Sequence, residues 1–452
     1  MKQFSPKLDM GSILGGLIVL ALVIYPIIKN EYALWDGAIL AHSIETNDYE
    51  VIKTWFLESG APIILALHTL VFKVYHLSGL SVDFIYSLLT SVMVFATYII
   101  MIAIFRQFGQ GKQYSEVAIA VLFSVLPFWS TYLSYIMANY AFCVLFIISS
   151  IYALWIGKYI WSCVLFMLAS DFQVGLIMHI FMFVICYALH YKLYNELKIT
   201  IKKITQYYLF LIVFLLLRSL IFESYGHYSD YNEINVDNFF GFFLSFGMVI
   251  KLSLFLPILL GFMLSKHRWY YFFLSIMIVG LIGVFFLAGK VNYVGFPSYP
   301  WFSRFDIPFY FCLLLMLGIF LYSENSPLKR MSTFLLFVIT IYPHKLAVDY
   351  PIAKEVTDLQ RFYEQAPSIS EAGYYSVRFF GIPYVQANYH LFKHYGNKGI
   401  ISFDSLQYFN DQCSQGTLYS RMYICDGFDI NAKRFELLID TRGAYSPEDL
   451  YW

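Results

Sequence analysis

Long apolar runs dominate the first three quarters of the chain. Runs of about 18 residues or more recur, and each is long enough to cross about 30 Å of hydrocarbon as a helix. The pattern predicts an all-α polytopic membrane protein with about 11 transmembrane helices. The predicted spans are Gly11–Lys29, Ser81–Phe105, Ser115–Leu133, Ile136–Gly157, Tyr159–Ala169, Phe172–Leu189, Thr205–Phe222, Phe240–Leu264, Trp269–Ala288, Asp306–Tyr322 and Met331–Tyr342.

The pattern changes near Val348. From Pro351 onward the long apolar runs stop, and short alternating stretches such as YYSVRFFG and RFELLIDT stand between turn-forming residues. We therefore predict two domains. Residues 1–348 form the membrane domain, with an acidic first outer loop at 30–80, and residues 349–452 form a small extracytoplasmic α+β domain.

Composition supports the membrane assignment and excludes several function classes. The chain is 59% hydrophobic and only 13% charged, and its formal net charge is zero. There is no basic patch for nucleic acid and no Walker A, GxGxxG or HExxH motif. No nucleotide pool is available outside the cytoplasm. An enzyme whose polar parts lie there must therefore use a pre-activated donor, and a lipid-linked donor is the obvious choice.

Basic residues predict the orientation. They fall on alternate loops, for example at Lys2, Arg106, Lys158 and Lys329, which places those loops and the N-terminus in the cytoplasm. The intervening loops carry the acids. The C-terminal domain is then extracytoplasmic.

The segment Ala61–Gly79 is apolar but is interrupted by His68, Lys73 and His76 at helical spacing. We expect these three residues to share one face of an amphipathic helix that lies along the outer interface. The acidic loop before it supplies carboxylates beside the bilayer, including Asp36.

Two cysteines stand apart from the others. Cys413 and Cys425 are the only pair in the C-terminal domain, in a compartment that would be oxidising, so we predict a disulfide. The other four lie inside predicted spans and are interpreted as packing residues. The pair alone offers too few ligands for a metal site.

Several stretches together resemble one enzyme group. They are the WDG at Trp35–Gly37, a proline-initiated interfacial helix, Val82-Asp83 before the second span, LPFWSTYLSYIMANYAF at Leu126–Phe142, and SDFQVGL at Ser170–Leu176. Their order resembles lipid-dependent glycosyltransferases of the GT-C superfamily, and in particular the bacterial GtrII-like serotype-converting glucosyltransferases. The chain departs from that pattern in its first loop, where a single Asp36 replaces the paired acids, and at Phe172, which replaces a tyrosine.

The resemblance implies a reaction at the bacterial inner membrane. A hexose, expected to be glucose, would pass from polyprenyl-phosphate-hexose (undecaprenyl phosphate as carrier) to lipopolysaccharide O-antigen or another surface glycan. The acceptor hydroxyl then needs a carboxylate as general base, for which the candidates are Asp36, Glu31 and Glu58. Asp48 is interpreted as a helix N-cap. One base suffices for single displacement with inversion, and no cofactor is implied. Metal dependence stays open, although no DxD stands in the first loop, which favours a reaction without metal.

The leaving phosphate needs cationic partners. The candidates are Arg304, Lys290 and Arg218, although Asp171 offers Arg218 a structural ion pair instead. Sugar contacts are expected from residues in the two motifs, namely Tyr132, Tyr135, Asp171 and Gln173.

Two other classes remain open. An O-antigen polymerase or ligase is also a multi-span protein, but such proteins place their large polar loop between spans rather than at the C-terminus. A lipid-linked glycan flippase or transporter would be expected to show paired repeats, which the sequence lacks.

Overall fold

The computed structural model describes residues 9–34, 36–108, 113–172, 175–176, 178–180, 182–184, 201–225 and 307–365, together with five strands between 374 and 440. The helices are α1 (Met10–Val19), α2 (Tyr25–Lys29), α3 (Gly37–Glu45), α4 (Tyr49–Glu58), α5 (Pro62–Ser78), α6 (Val82–Arg106), α7 (Gln113–Ser124), α8 (Ala138–Trp155), α9 (Tyr159–Leu168), α10 (Ile201–Ile221), α11 (Ile307–Ser323) and α12 (Pro327–Gln365). A π-helical turn, Leu20–Ile24, joins α1 to α2, because Pro26 has no N–H and the Tyr25 N–H bonds to Leu20 O instead.

Five helical segments in the described part of the chain are long and apolar enough to cross a membrane. They are Met10–Lys29, Val82–Arg106, Tyr135–Trp155, Lys202–Ile221 and Pro327–Lys354. This is the architecture of a multi-pass helical membrane protein. The first, second, fourth and seventh predicted spans coincide with four of these segments to within a few residues. The predicted spans Phe240–Leu264 and Trp269–Ala288 lie outside the described residues.

The predicted third span, Ser115–Leu133, is wrong at its second half. Helix α7 ends at Ser124, and two 3₁₀ turns follow, Trp129–Leu133 and Tyr135–Met137. Pro127 disfavours helical backbone at the residue before it, which is consistent with the end of α7 inside the apolar run. We call Trp129–Met137 the 3₁₀ segment.

Helix α12 is much longer than the predicted last span, Met331–Tyr342. Its 39 residues correspond to about 58 Å, nearly twice the thickness of the hydrocarbon core. The helix continues through Pro343 and Pro351, so it crosses the predicted domain boundary at 348 without a break. Its distal part packs on the first loop, where Val348 and Ile352 bury Leu34.

The bundle has two distinguishable ends. At one end, which we call the Arg106 end, the start of α1 meets the end of α6 and the start of α7. Arg106 pairs with the buried Glu116, Ser12 bonds to both, and Asp9 caps α1 nearby. Close packing here depends on Gly15, because a Cβ at this position would lie 2.5 Å from the Tyr98 hydroxyl.

The opposite end, which we call the Asp36 end, gathers the loop after α2, the start of α6, the 3₁₀ segment and the middle of α12. Aromatic rings fill the interior between the two ends. Phe128 packs on Tyr310 near the Asp36 end, and Phe105 packs on Tyr322 near the Arg106 end. Helix α11 therefore runs from the Asp36 end to the Arg106 end.

The described residues beyond α12 form a five-stranded mixed sheet. The strands are β1 (Tyr374–Phe380), β2 (Gly399–Phe403), β3 (Thr417–Tyr419), β4 (Met422–Asp429) and β5 (Arg434–Asp440). Their order is β2-β1-β5-β4-β3, with β1 parallel to β2 and β5 and with β4 antiparallel to β3 and β5. The stretches YYSVRFFG and RFELLIDT supply β1 and β5.

Candidate functional site

The 3₁₀ segment is tied to two carboxylates that are remote from it in sequence. The Tyr135 hydroxyl donates to Asp83, which stands in the first turn of α6. The Ser130 hydroxyl donates to Asp349 of α12 over 2.6 Å, and Asp349 also pairs with Lys345 at 2.9 Å. Two acids separated by more than 250 positions are thus held beside one motif.

The loop that carries Asp36 packs on the same segment. The Asn30 side chain donates to Leu133 O over 3.0 Å, and the Ser134 hydroxyl donates to Leu34 O over 2.6 Å. A Cβ at Gly37 would lie 2.9 Å from the Tyr135 backbone nitrogen, so only glycine permits this approach. Asp36, half-buried, stands immediately before α3 and is fixed in place by these contacts.

The other acids of the first loop occupy different positions. Glu31 is exposed, Glu58 is half-buried at the end of α4, and Asp48 caps α4 by accepting from the Val51 N–H, which confirms its predicted role as an N-cap. His42 of α3 is half-buried, and this burial lowers its pKa despite the opposing attraction of Asp48.

A row of buried polar side chains, joined by hydrogen bonds, lies beneath the Asp36 end. Tyr135 stacks on Tyr86 with ring centroids 5.1 Å apart. The Tyr86 hydroxyl lies 2.6 Å from His68 Nδ1, and His68 Nε2 lies 2.6 Å from Asn139 Oδ1. Because Asn139 Oδ1 can only accept, Nε2 carries the proton and Nδ1 accepts from Tyr86. Burial lowers the His68 pKa to about 4, against the smaller effect of Asn139, so the imidazole is neutral at pH 7.

The prediction that His68, Lys73 and His76 share one face of α5 is wrong. His68 is fully buried and stacks on Phe56, whereas Lys73 and His76 are exposed. Five residues correspond to about 140° of helical rotation, which places Lys73 away from His68. His68 therefore belongs to the bundle interior.

Asp171 and Arg218 form a buried ion pair. The Arg218 guanidinium donates to Asp171 Oδ1 over 2.5 Å and to Gly60 O over 2.6 Å. Asp171 Oδ2 accepts from the backbone N–H groups of Ile63 and Ile64, at 2.6 and 2.8 Å. Asp171 thus caps the N-terminus of α5 from a distant part of the chain. The carboxylate is fully buried and the guanidinium side chain is only 12% exposed.

The residues at the end of α10 pack on the turn between α4 and α5, beside the ion pair of Asp171 and Arg218. Gly60 has a φ of +65°, and a Cβ there would lie 2.6 Å from Phe222 O. The Tyr225 N–H donates to Glu58 O over 2.9 Å. The turn between α4 and α5 is therefore held by backbone contacts as well as by the ion pair, and Glu58 stands beside it.

The predicted sugar-stacking tyrosines are buried among other rings. Tyr132 packs on Phe128 and Trp129, and Tyr135 is covered by Tyr86. Neither ring presents an open face in this structure. Tyr140, which also lies in the motif at 126–142, is half-buried and contacts Phe172 edge-on at 5.5 Å. This contact brings together the two motifs at 126–142 and 170–176.

Some predicted residues lie outside the described part of the chain. These are Arg304, Lys290, Gln173 and Cys413. Cys425 lies in β4, where it is in register with Leu438 of β5. In the residues that the structure does describe, no group of three or more His, Cys, Asp or Glu side chains is arranged to hold a metal ion.

Sequence reasoning missed Asp83, Asp349 and Asn139 as members of this site. Asp83 was visible as an acid that opens an apolar run, a position that often marks a helix N-terminus. No local signal connects Asp349 to Ser130, because their contact depends on the course of α12. No family model, curated protein or solved structure matches this chain.

Proposed function

We propose that this protein is a membrane glycosyltransferase that uses a lipid-linked donor. It would transfer a hexose from polyprenyl-phosphate-hexose to a surface glycan such as O-antigen. The Asp36 end would face the outside of the bacterial inner membrane. The observation that carries the proposal is the gathering of Asp36, Asp83 and Asp349 around the 3₁₀ segment at one end of an apolar bundle.

The chemistry assigns the carboxylates a defined task. The acceptor hydroxyl loses its proton to a carboxylate as its oxygen attacks the anomeric carbon. The bond from that carbon to the phosphate oxygen breaks, and the polyprenyl phosphate leaves with the electron pair. The leaving group needs no general acid. Asp36 is the proposed base, because the contacts of Leu34 and Gly37 fix its position, and Asp83 is the second candidate.

This proposal gives the positively charged residues two different roles. Arg218 is engaged by Asp171 and by Gly60 O, so we assign it the positioning of α5 rather than the first contact with phosphate. Arg304 and Lys290 keep the proposed role of stabilising the leaving phosphate. The mechanism needs no metal ion, and its single displacement inverts the anomeric configuration.

The test uses cells that supply polyprenyl-phosphate-glucose and display an acceptor glycan. Wild type should add a hexose-sized mass to the glycan, and Asp36→Asn should abolish the addition while the protein remains folded. Asp48→Asn is the matched control, because asparagine caps a helix as well as aspartate does. A change in glycan chain length without added hexose would instead favour a polymerase or ligase. Altered export of the lipid-linked glycan would favour a flippase.

A further inference from the structure

An open groove runs along the outward side of α5, beside the first residue of α4. Its volume is about 410 Å³, and it is separate from the contacts around the 3₁₀ segment. It is lined by Tyr49, Pro62, Leu65, Ala66, Thr69, Leu70 and Lys73.

The α5 residues of this groove recur at intervals of three and four, so they occupy one face of the helix. The opposite face carries the buried Ile64, Leu67, His68 and Val71. The groove face is apolar over most of its length although it is turned outward, and Leu70 is 55% exposed. An outward apolar face is expected where lipid rather than water is the neighbour.

One positive charge stands at the end of this apolar face. Lys73 is exposed, no carboxylate lines the groove, and Lys73 makes no ion pair within the part of the chain that the structure describes. Lys53 on neighbouring α4 differs, because it pairs with Glu50 at 2.9 Å. The groove is therefore complementary to a ligand with one negative group and a hydrocarbon chain.

Lys73 stands near the start of a candidate membrane span, which is a suitable location for contact with a membrane lipid. Helix α5 ends at Ser78, and α6, a candidate membrane span, begins at Val82. Leu77, between Lys73 and that entry point, is 87% exposed. Lys73, at the charged end of the groove, thus precedes the first residue of this candidate span by nine positions.

A hydroxyl in the groove adds a polar contact. The Thr69 hydroxyl donates to Leu65 O over 2.8 Å, so the Tyr49 hydroxyl, 2.7 Å from Thr69, donates its proton to Thr69. The Tyr49 oxygen keeps lone pairs that can accept from a headgroup hydroxyl.

We propose that this groove is a binding site for an anionic phospholipid of the bilayer. Its phosphate pairs with Lys73, its glycerol headgroup contacts Tyr49, and one acyl chain lies along the face from Leu70 to Pro62. From Pro62 to Lys73 the helix rises about 16 Å, which accommodates much of an acyl chain. The site differs from the carboxylates proposed for catalysis and does not depend on them.

The test measures lipid retained by the purified full-length protein. Protein from nanodiscs of mixed phosphatidylglycerol and phosphatidylcholine is analysed by native mass spectrometry. Lys73→Gln should reduce retained phosphatidylglycerol about fivefold. Lys53→Gln, an exposed lysine on the adjacent helix, should leave it unchanged. Ala66→Trp should fill the groove and also remove the bound lipid, although Lys73 is still present.

Three results would overturn the proposal. One is equal retention of phosphatidylglycerol by Lys73→Gln and Lys53→Gln. Another is retention of phosphatidylcholine as strong as that of phosphatidylglycerol. The third is displacement of the lipid by millimolar inorganic phosphate alone, which would indicate a simple anion site. Melting temperatures of all variants show whether each is folded.

Discussion

The buried pair of Asp171 and Arg218 gives the sharpest prediction about the fold. Asp171→Ala removes an acceptor of three hydrogen bonds, two from the first turn of α5 and one from Arg218. It leaves a guanidinium that is only 12% exposed without a counter-charge. Breaking a buried pair in this way costs about 3–5 kcal/mol, a large part of the 5–15 kcal/mol that stabilises a typical domain.

Removing both partners should cost less than the sum of the single changes. In Asp171→Ala with Arg218→Met no uncompensated charge stays buried. We expect the double variant to recover about 1–3 kcal/mol relative to additivity, as directly contacting residues do. The matched control is Lys53→Ala, which breaks an exposed pair with Glu50 and should change stability by less than about 1 kcal/mol.

Thermal unfolding in detergent measures the global effect, and Cys143 reports the local one. This free, buried cysteine lies within electrostatic range of both Asp171 and Arg218. Maleimide labelling of Cys143, resolved by peptide mapping, should accelerate in Asp171→Ala and not in Lys53→Ala. A stability of Asp171→Ala within about 1 kcal/mol of wild type would refute the reasoning. Full additivity in the double variant would refute it as well.

Two further predictions concern pH and backbone. The pKa of His68 is about 4 in the folded protein, below the value of about 6.5 in the unfolded chain. The free energy of unfolding is therefore highest above pH 6.5. It falls as the pH drops towards 4, by up to about 3 kcal/mol. Chemical unfolding across this range should show the loss, and a pH-independent stability would contradict the burial of His68. Gly60→Ala should destabilise by about 1–3 kcal/mol more than Gly79→Ala. Both positions have positive φ, but only Gly60 has a close neighbour, Phe222 O; equal melting temperatures would exclude the close approach.

Hydropathy predicts some parts of this fold well. The spans that begin near Gly11, Ser81 and Thr205 match helices because each run is apolar throughout and is long enough to cross a bilayer. The run Ser115–Leu133 misleads, because aromatic and apolar residues continue past Pro127 although the helix does not. Hydropathy averages over a window and does not register a single proline.

For α12 the sequence predicts a helix that is too short. Its residues after Tyr342 alternate charged with apolar side chains and include Pro343 and Pro351, which are typical of a helix end. The helix nevertheless continues, and its distal part is stabilised by contacts with Leu34 from the first loop. Tertiary packing overrides the local preference here.

Some residues of the candidate site can likewise be predicted from the sequence, and others cannot. Asp36 and the motif at 126–142 are recognisable one by one, and the structure packs them together through Gly37 and Ser134. The partners Asp83 and Asp349 are joined to that motif only by the course of α6 and α12. The contact of Asp171 with the start of α5 is likewise a product of the fold, because no sequence rule links positions more than 100 residues apart.

Direct observation of sugar transfer tests the central claim. The full-length protein in nanodiscs is given polyprenyl-phosphate-hexose with a labelled sugar, together with a purified glycan acceptor. The proposal predicts that label moves to the glycan, with inverted anomeric configuration by NMR, and that Asp36→Asn abolishes transfer whereas Asp48→Asn retains it. Transfer by Asp36→Asn at the wild-type rate would contradict the assigned base. Absence of transfer from any lipid-linked hexose would contradict the proposed function.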